Sequence, residues 1–331
     1  MRRVGAVLLA LIVTTALCAP WLARHAVGEQ HRGYVLAPPM RVRIADTGGR
    51  LRAPFVYPVR LTDRLSRSYT EDHSRPIPIA VAAARCQSAA PAVEGGSPWF
   101  PLGTDSLGRD VWSRLVLGAR VSLGLAGAAC LLALLLGALL GGWAGATGGL
   151  VGDLLMWVAD LVYVLPALYV VLVLRSSLPL VLPAPALFMV LVAVLAFVGW
   201  PQVARGVRAL VAAEASRDYA VAARAAGASR TRVLLRHLLP ASFPYLATQA
   251  LLLAPAFILA EATLSYVGLG FMPPASSWGT MLQEAANVRA IADTPWVLSP
   301  AVAIALVVLA LNLALGDRGG VLDTPRTRSR E

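Results

Sequence analysis

Apolar residues along this chain gather into long blocks separated by polar stretches rich in arginine and proline. Six blocks, over residues 4–22, 122–143, 154–174, 185–203, 244–266 and 296–316, approach the about 20 residues that a helix needs to cross a hydrocarbon core. The pattern predicts an all-α polytopic membrane protein with six transmembrane helices, the last interrupted by Pro300 and Asn312. Residues 23–98, between the first two blocks, carry no long apolar run. There residues 40–45 alternate, Asp46 to Gly49 signal a turn, and Phe55, Val56, Tyr57 and Val59 have strand composition. A small β hairpin or meander is expected, with Pro54 and Pro58 confining it to edge pairing. It reads equally as a spacer or lid and as a docking surface for a partner.

Composition agrees with a membrane class: 57% of residues are hydrophobic and 14% charged, against about a quarter charged in soluble domains. All 29 basic residues are arginine, which excludes any chemistry that needs a lysine of this chain. The net charge of +11 does not mark a nucleic-acid module, because the arginines lie between apolar blocks. They set topology instead. Arg2 and Arg3 precede the first block and place the N-terminus in the cytoplasm. The connection 204–243 holds Arg205, Arg208, Arg217, Arg224, Arg230, Arg232 and Arg236 against Glu214 and Asp218, and is cytoplasmic by the same rule. The tail 317–331, with Arg318, Arg326, Arg328 and Arg330, follows it. Residues 23–98, including Cys86, are then extracytoplasmic; loops beyond about 60 residues escape the charge rule. A cleaved signal peptide is the rival reading of residues 1–22 and would leave five spans. Cys18 and Cys130 lie in or beside apolar stretches, so neither a disulfide framework nor a zinc spacing is visible, and no metal or cofactor site is expected.

The most specific local feature is DYAVAARAAGASRTRVLLRHLLP, residues 218–240. Asp218 is suited to cap a helix in which Ala222, Ala223 and Ala226 recur at helical spacing. Gly227 falls where a helix ends in a left-handed residue. Ser229 can cap a second helix, with Arg236 and His237 in its last turn and Pro240 as its stop. A basic helical hairpin with one small-residue face is expected, either for a protein partner or for anionic lipid.

This run resembles the "EAA" loop of permease subunits of binding-protein-dependent ABC importers, E-A-A-x-x-x-G followed nine residues later by I-x-L-P. Ala222, Ala223, Gly227, Leu239 and Pro240 match; Val221 stands in place of the Glu and His237 in place of the Ile. The resemblance implies ATPase coupling by Asp218, Tyr219, Ala222, Ala223, Ala226, Gly227, Leu239 and Pro240. Two further stretches resemble dipeptide and oligopeptide permeases of the "C" type. In LGTDSLGRDVWSRLVLGARVSLG, residues 102–124, Asp105 is expected to cap a short interfacial helix within 99–121, with Leu107, Val111, Trp112, Leu115 and Val116 apolar and Asp110 opposite Arg114. In EATLSYVGLGFMPPASSWGTMLQEA, residues 261–285, Gly268, Gly270, Pro273 and Pro274 break the helix and Trp278 marks an interface. Broken backbone at that depth suits the outer mouth of a pathway, with Glu261, Gly268, Gly270 and Trp278 as candidate pathway residues. Glu261 is expected near enough to the interface to be solvated. Asp160, in the third block, is expected to satisfy neighbouring backbone or hydroxyl groups, and Pro166 to kink that span.

The resemblance covers about residues 100–318 and implies one permease subunit of an ABC importer in a bacterial inner membrane. It further implies a homologous second permease, two ATP-binding cassette ATPase subunits, an extracytoplasmic substrate-binding protein and a dipeptide or oligopeptide substrate. A nickel chelate or another small solute handled by the same family is the alternative cargo. A secondary transporter is the rival mechanism, although no internal repeat supports it. An intramembrane enzyme is the other, but His25, His31 and His73 lie in the outer segment and His237 in the loop, away from any nucleophile.

Overall fold

The computed structural model describes residues 2–45, 51–63, 68–74, 76–78, 99–165, 169–170, 173, 182–272, 275–286 and 293–315. Cys86, Pro166, Pro273, Pro274, the turn at residues 46–49 and the tail arginines lie outside them. Helix α1 is Arg2–Leu17, continued after a turn at Cys18 by α2, Ala19–Leu22. The bundle proper is α3 (Val111–Thr147), α4 (Gly149–Val164), α5 (Ala184–Ala215), α9 (Phe243–Tyr266) and α11 (Ser299–Leu315). Between α5 and α9 lie α6 (Asp218–Ala225), α7 (Arg230–Val233) and α8 (Leu239–Ala241), and α10 is Trp278–Ala285. Four helices among the described residues are long and apolar enough to span a bilayer: Val111–Thr147, Ala184–Ala215, Phe243–Tyr266 and Pro295–Ala314. Of the other two expected spans, the first is the shorter apolar α1, and α4 covers the described start of the third.

The segment expected as a separate interfacial helix is instead the first part of α3, which runs for 37 residues without a break. No proline lies between Val111 and Thr147 to interrupt it. Asp110, not Asp105, caps it: the carboxylate accepts from the backbone N–H of Trp112 at 3.2 Å and Ser113 at 3.1 Å. At the other end α5 extends past Val203 to Ala215, so the first dozen residues of the expected 204–243 loop are helix.

A stripe of small residues four apart, Ala133, Gly137, Gly141 and Gly145, lies along α3 and receives α5. A Cβ on Gly141 would stand 2.2 Å from the carbonyl oxygen of Ala204, and one on Gly137 2.5 Å from Cβ of Val203. At Gly145 the carbonyl of Arg208 would be 2.7 Å away. Without side chains on one helix, the two backbones come close enough for dispersion contacts along several turns, which is how helices associate where lipid removes the hydrophobic drive. Val203, Val207 and Val211 of α5 are fully buried, and α9 adds Leu253, Phe257 and Ile258 to the same core. Helix α1 packs on α11 in the same manner: a Cβ on Gly5 would meet the backbone of Ala310, Leu313 and Ala314.

Chain direction follows from these contacts. Trp112, near the start of α3, donates from its indole to the carbonyl of Leu22 at 3.1 Å, so α1 ends where α3 begins. Leu239 meets Gly142 near the other end of α3. Gly5, the end of α11 and the α6–α8 hairpin therefore share one end of the bundle, and residues 23–45 sit at the opposite end.

Beyond that opposite end, where the sequence predicts a hairpin or meander, the described strands form two small sheets. The first has order β1-β2-β5 (Arg43–Ala45, Leu51–Val56, Ile77–Pro78), and the second pairs β3 (Val59–Asp63) with β4 (Ser68–Glu71), all antiparallel. Pro54 sits in the middle strand, not at an edge. It is tolerated because β1 pairs with β2 through a register irregularity between Arg43 and Ala45, while β5 pairs at Phe55 and Val56, beyond the proline. Ala37, Met40, Val59 and Phe100 form a small core beneath the sheets.

The glycine stripe is testable against a glycine that contacts nothing. Gly141→Leu should cost about 3 kcal/mol by overpacking and lower the thermal unfolding midpoint in detergent. Gly127→Leu, on the same helix with no heavy atom within 4 Å of its Cβ position, should leave the midpoint near the parent value.

Candidate functional site

At the end of the bundle that carries the hairpin, α6 leaves α5 through a turn anchored by Glu214. Its carboxylate accepts from the Tyr219 hydroxyl at 2.7 Å and pairs with Arg217 at 3.0 Å. That hydrogen bond holds the Tyr219 hydroxyl above its usual pKa. Asp218 is the first residue of α6 rather than its cap, which is Arg217, and there it meets the positive end of the helix dipole. Arg224 turns back and donates to the carbonyls of Ala220 and Ala215, covering the exposed C-terminus of α5.

Gly227 has φ +86°, the left-handed conformation expected for it. Its N–H donates to Arg224 O at 3.0 Å and that of Ala228 to Ala223 O at 3.1 Å, the paired bonds of a Schellman stop. Ser229 caps the next helix, accepting from the Arg232 N–H at 3.3 Å. Pro240 does not end that helix. A π turn at Leu234–Leu238 widens the coil just before the proline, and helical backbone continues through α8 to a turn at Ser242. The widened turn changes the hydrogen-bond register where the proline has no N–H to give. Val233, Leu234 and Leu238 are buried in the bundle, and Leu239 is half-buried.

The small face divides in two. Ala220 is buried and Ala223 half-buried against the protein's own core. Tyr219, Ala222, Ala226, Gly227 and Pro240 are exposed. Tyr219, Ala222 and the C-cap Ala226, at spacings of three and four, line one exposed side, with Asp218, Val221, Arg224 and Ala225 exposed beside them.

Below the hairpin, Arg205 and Arg208 belong to α5 and pair with α4. Arg208 lies 2.5 Å from Asp153, and Arg205 lies 3.3 Å from Asp160 and over the Tyr163 ring at 4.2 Å. Asp160 therefore finds a guanidinium rather than backbone or hydroxyl groups, and its side chain is 56% exposed.

At the opposite end, the candidate pathway residues converge on a packed joint. Glu261 is 1% exposed, not solvated, and accepts from Ser122 at 2.9 Å and Ser265 at 2.8 Å. Trp278 is buried rather than interfacial: its backbone N–H donates to Ser122 Oγ at 3.1 Å and its indole to Leu115 O at 2.9 Å. Gly268, at φ +87°, closes α9 with a second Schellman stop, through Gly268 N–H to Ser265 O and Leu269 N–H to Leu264 O. Gly270 and Gly279 let the returning chain lie on Ser265 and Ala262, where a Cβ would come within 2.7 Å.

Next to this joint is a cluster the sequence did not suggest. Asp105 accepts from Arg109 at 2.7 Å and Arg114 at 2.5 Å, and Glu284 of α10 accepts from Arg109 at 2.5 Å and Arg114 at 2.6 Å. Arg114 pairs with these two and not with Asp110, whose carboxylate is taken by Ser113 and Trp112. Burial pushes the Asp110 carboxyl up and those hydrogen bonds pull it back. Two positive and two negative charges leave the group neutral, so the buried ions are compensated. Glu284 lies 170 residues from Arg114, beyond the reach of a local pattern. The same end holds a second group, in a stretch with no familiar metal-ligand spacing: one ligand atom each from His25, Glu29 and His31 lies within 4.8 Å of the others. Burial, then the neighbouring His25, lowers the His31 pKa, against Glu29.

A multi-pass helical membrane protein with a capped basic hairpin projecting from one end of its bundle is the class these features define. Residues 133–316 match the family model for binding-protein-dependent transport system inner membrane components, and the chain belongs to that family. It is 34% identical over 314 residues to the di/tripeptide transport system permease protein DppC of Pseudomonas aeruginosa, covering 95% of this chain and 84% of that one. Over 226 residues it is 43% identical to the dipeptide transport system permease protein DppC of Escherichia coli, with 68% and 72% covered. Over 220 residues it is 36% identical to the oligopeptide transport system permease protein OppC of Bacillus subtilis, with 66% and 68% covered.

Arg114→Met should leave Asp105 and Glu284 to share Arg109 alone, with one buried negative charge uncompensated, and cost about 3–5 kcal/mol, read as a lower thermal midpoint in detergent. Glu284→Gln, which keeps an acceptor and sits on the more exposed side, should cost less. Equal losses would mean that the four groups do not act as one network.

Proposed function

We propose that the chain is the permease subunit of an ABC importer for dipeptides or oligopeptides, and that the face of Tyr219, Ala222 and Ala226 docks on an ATPase subunit. Membership of the binding-protein-dependent family supports the importer, and the names of the relatives support a peptide cargo. The single observation that carries the docking is the exposed small face of α6, held out by Glu214, Arg224 and the Gly227 stop. Small side chains on a rigid helix let another backbone approach closely, whereas lipid attraction needs only the arginines. In this reading a homologous second permease, two ATPase subunits and an extracytoplasmic binding protein complete the machine. ATP hydrolysis belongs to the partners, because a P-loop needs a lysine and this chain has none. The arginine distribution supports an inner-membrane orientation with both termini and the hairpin in the cytoplasm.

Helix α9 runs from the turn after the hairpin to the Glu261 joint, so displacement of the hairpin by an ATPase would reach the outer end through one continuous helix.

Ala222→Trp and Ala226→Trp should insert normally but lose transport and binding-protein-stimulated ATP hydrolysis in the assembled complex, with docking weaker by about tenfold or more, ~1.4 kcal/mol. Gly227→Val, strained at positive φ, should act likewise. Ala223→Trp is a poorer probe, since Ala223 packs on the protein's own core. Arg230→Gln should retain transport; the reverse pattern, with tryptophans silent and arginine loss inactivating, would make the hairpin a lipid anchor. Orientation is checked in a cysteine-free background with an impermeant thiol reagent on intact cells. Thr62→Cys should label and Arg236→Cys should not.

A further inference from the structure

We propose that His25, Glu29 and His31 form a binding site for one divalent transition-metal ion, of the zinc class, at the end of the bundle opposite the hairpin. The three residues fall on the short turn that follows α2, in the run His25-Ala26-Val27-Gly28-Glu29-Gln30-His31. Their ligand atoms converge within 4.8 Å. His25 Nδ1 lies 3.6 Å from one carboxylate oxygen of Glu29 and His31 Nε2 lies 3.5 Å from the other. Ligands on a tetrahedral zinc ion with bonds of about 2.0 Å stand ~3.3 Å apart, so only a small closure of the side chains is needed. Two imidazoles and a carboxylate are a donor set that zinc takes with a fourth position left to water.

A second observation points to a missing ligand. Both nitrogens, His25 Nδ1 and His31 Nε2, are buried and make no hydrogen bond, and the His25 side chain is only 5% exposed. A buried polar atom without a partner costs free energy that a metal bond would recover. The rings are held in place by packing: His25 and His31 meet edge to face at 5.0 Å, and both lie on Phe100, at 5.5 and 5.1 Å. The backbone is held as well. Ser113 Oγ accepts from the N–H of Arg24 and His25, and Gly108 O accepts from the His31 N–H at 3.0 Å. The N–H of Ala26 donates to Glu29 at 3.3 Å and orients the carboxylate, which is the more exposed member and leaves an entry path. All three ligands lie on one turn, so an ion here would cross-link residues 25–31 to one another. His73, paired with Glu71 on the outer sheet, is not part of the cluster.

The test uses the full chain purified without a polyhistidine tag, stripped of metal with a chelator, and titrated with Zn2+ against a chromophoric competitor. One Zn2+ per chain should bind, and the same titration should raise the thermal unfolding midpoint of the parent. Glu29→Gln and His31→Gln should each weaken binding by about tenfold or more and remove the thermal shift, while His73→Gln should keep both. Ca2+ and Mg2+ should not compete, since they prefer oxygen donors. Should His25→Gln fail to fold because its ring is buried, the exposed Glu29 still carries the test. Zn2+ binding that is absent in the parent, or as strong in Glu29→Gln and His31→Gln, overturns the proposal, as does equal loss in His73→Gln.

Discussion

The approach of α5 to the glycine stripe of α3 is the contact on which the rest of the structure depends. In lipid, apolar side chains gain little by leaving their surroundings, so two helices stay together through close packing and through polar groups that have nowhere else to go. Helix α3 uses both. Its middle and later turns carry Gly137, Gly141 and Gly145, which let the α5 backbone lie against it; its first turns carry Ser113, Arg114 and Ser122, each engaged by another segment. Because α5 is fixed along its length, its last turn is fixed too, and with it Glu214, the residue that launches the hairpin.

The two ends of the bundle differ in character for the same reason. At the end away from the hairpin, buried charges are balanced within the chain, Arg109 and Arg114 against Asp105 and Glu284, and the buried Glu261 carboxyl is hydrogen-bonded by two serine hydroxyls. Such a joint tolerates little rearrangement, since removing one member leaves a buried charge uncompensated. At the hairpin end the ion pairs are more exposed, and the exposed residues of α6 and its cap include Tyr219, Ala222, Ala225 and Ala226. A stiff joint at one end and an open face at the other, joined by α3 and α9, fit a subunit moved from outside itself.

Local chemistry was legible in the sequence. The hairpin, the left-handed Gly227 and the Ser229 cap follow from signals within a few residues and the structure has each of them, while four of the six expected apolar blocks are helices long enough to span. What needs two distant segments was not. Arg114 was matched with Asp110, four residues away, because its real partners include Glu284 on a later helix. Glu261 looked solvated from its position in the block, and only the returning α10 makes it buried. The four-residue spacing of Gly137, Gly141 and Gly145 was in plain view, but a stripe of glycines in an apolar block shows its meaning only beside Val203 and Ala204. Pro240 misled for the opposite reason: the rule that proline ends a helix is sound, and a π turn circumvents it. His25, Glu29 and His31 match no familiar ligand spacing, and it is the fold of the turn over Phe100 that gathers them.

The central claim is that the free face of α6 meets another protein. A photoreactive amino acid placed at position 222 in the assembled transporter, and at the exposed position 127 of α3 as a control, tests this most directly. The account predicts that position 222 crosslinks to an ATPase subunit while position 127 does not. Crosslinking from position 222 to lipid alone, with the ATPase bound and active, would contradict it.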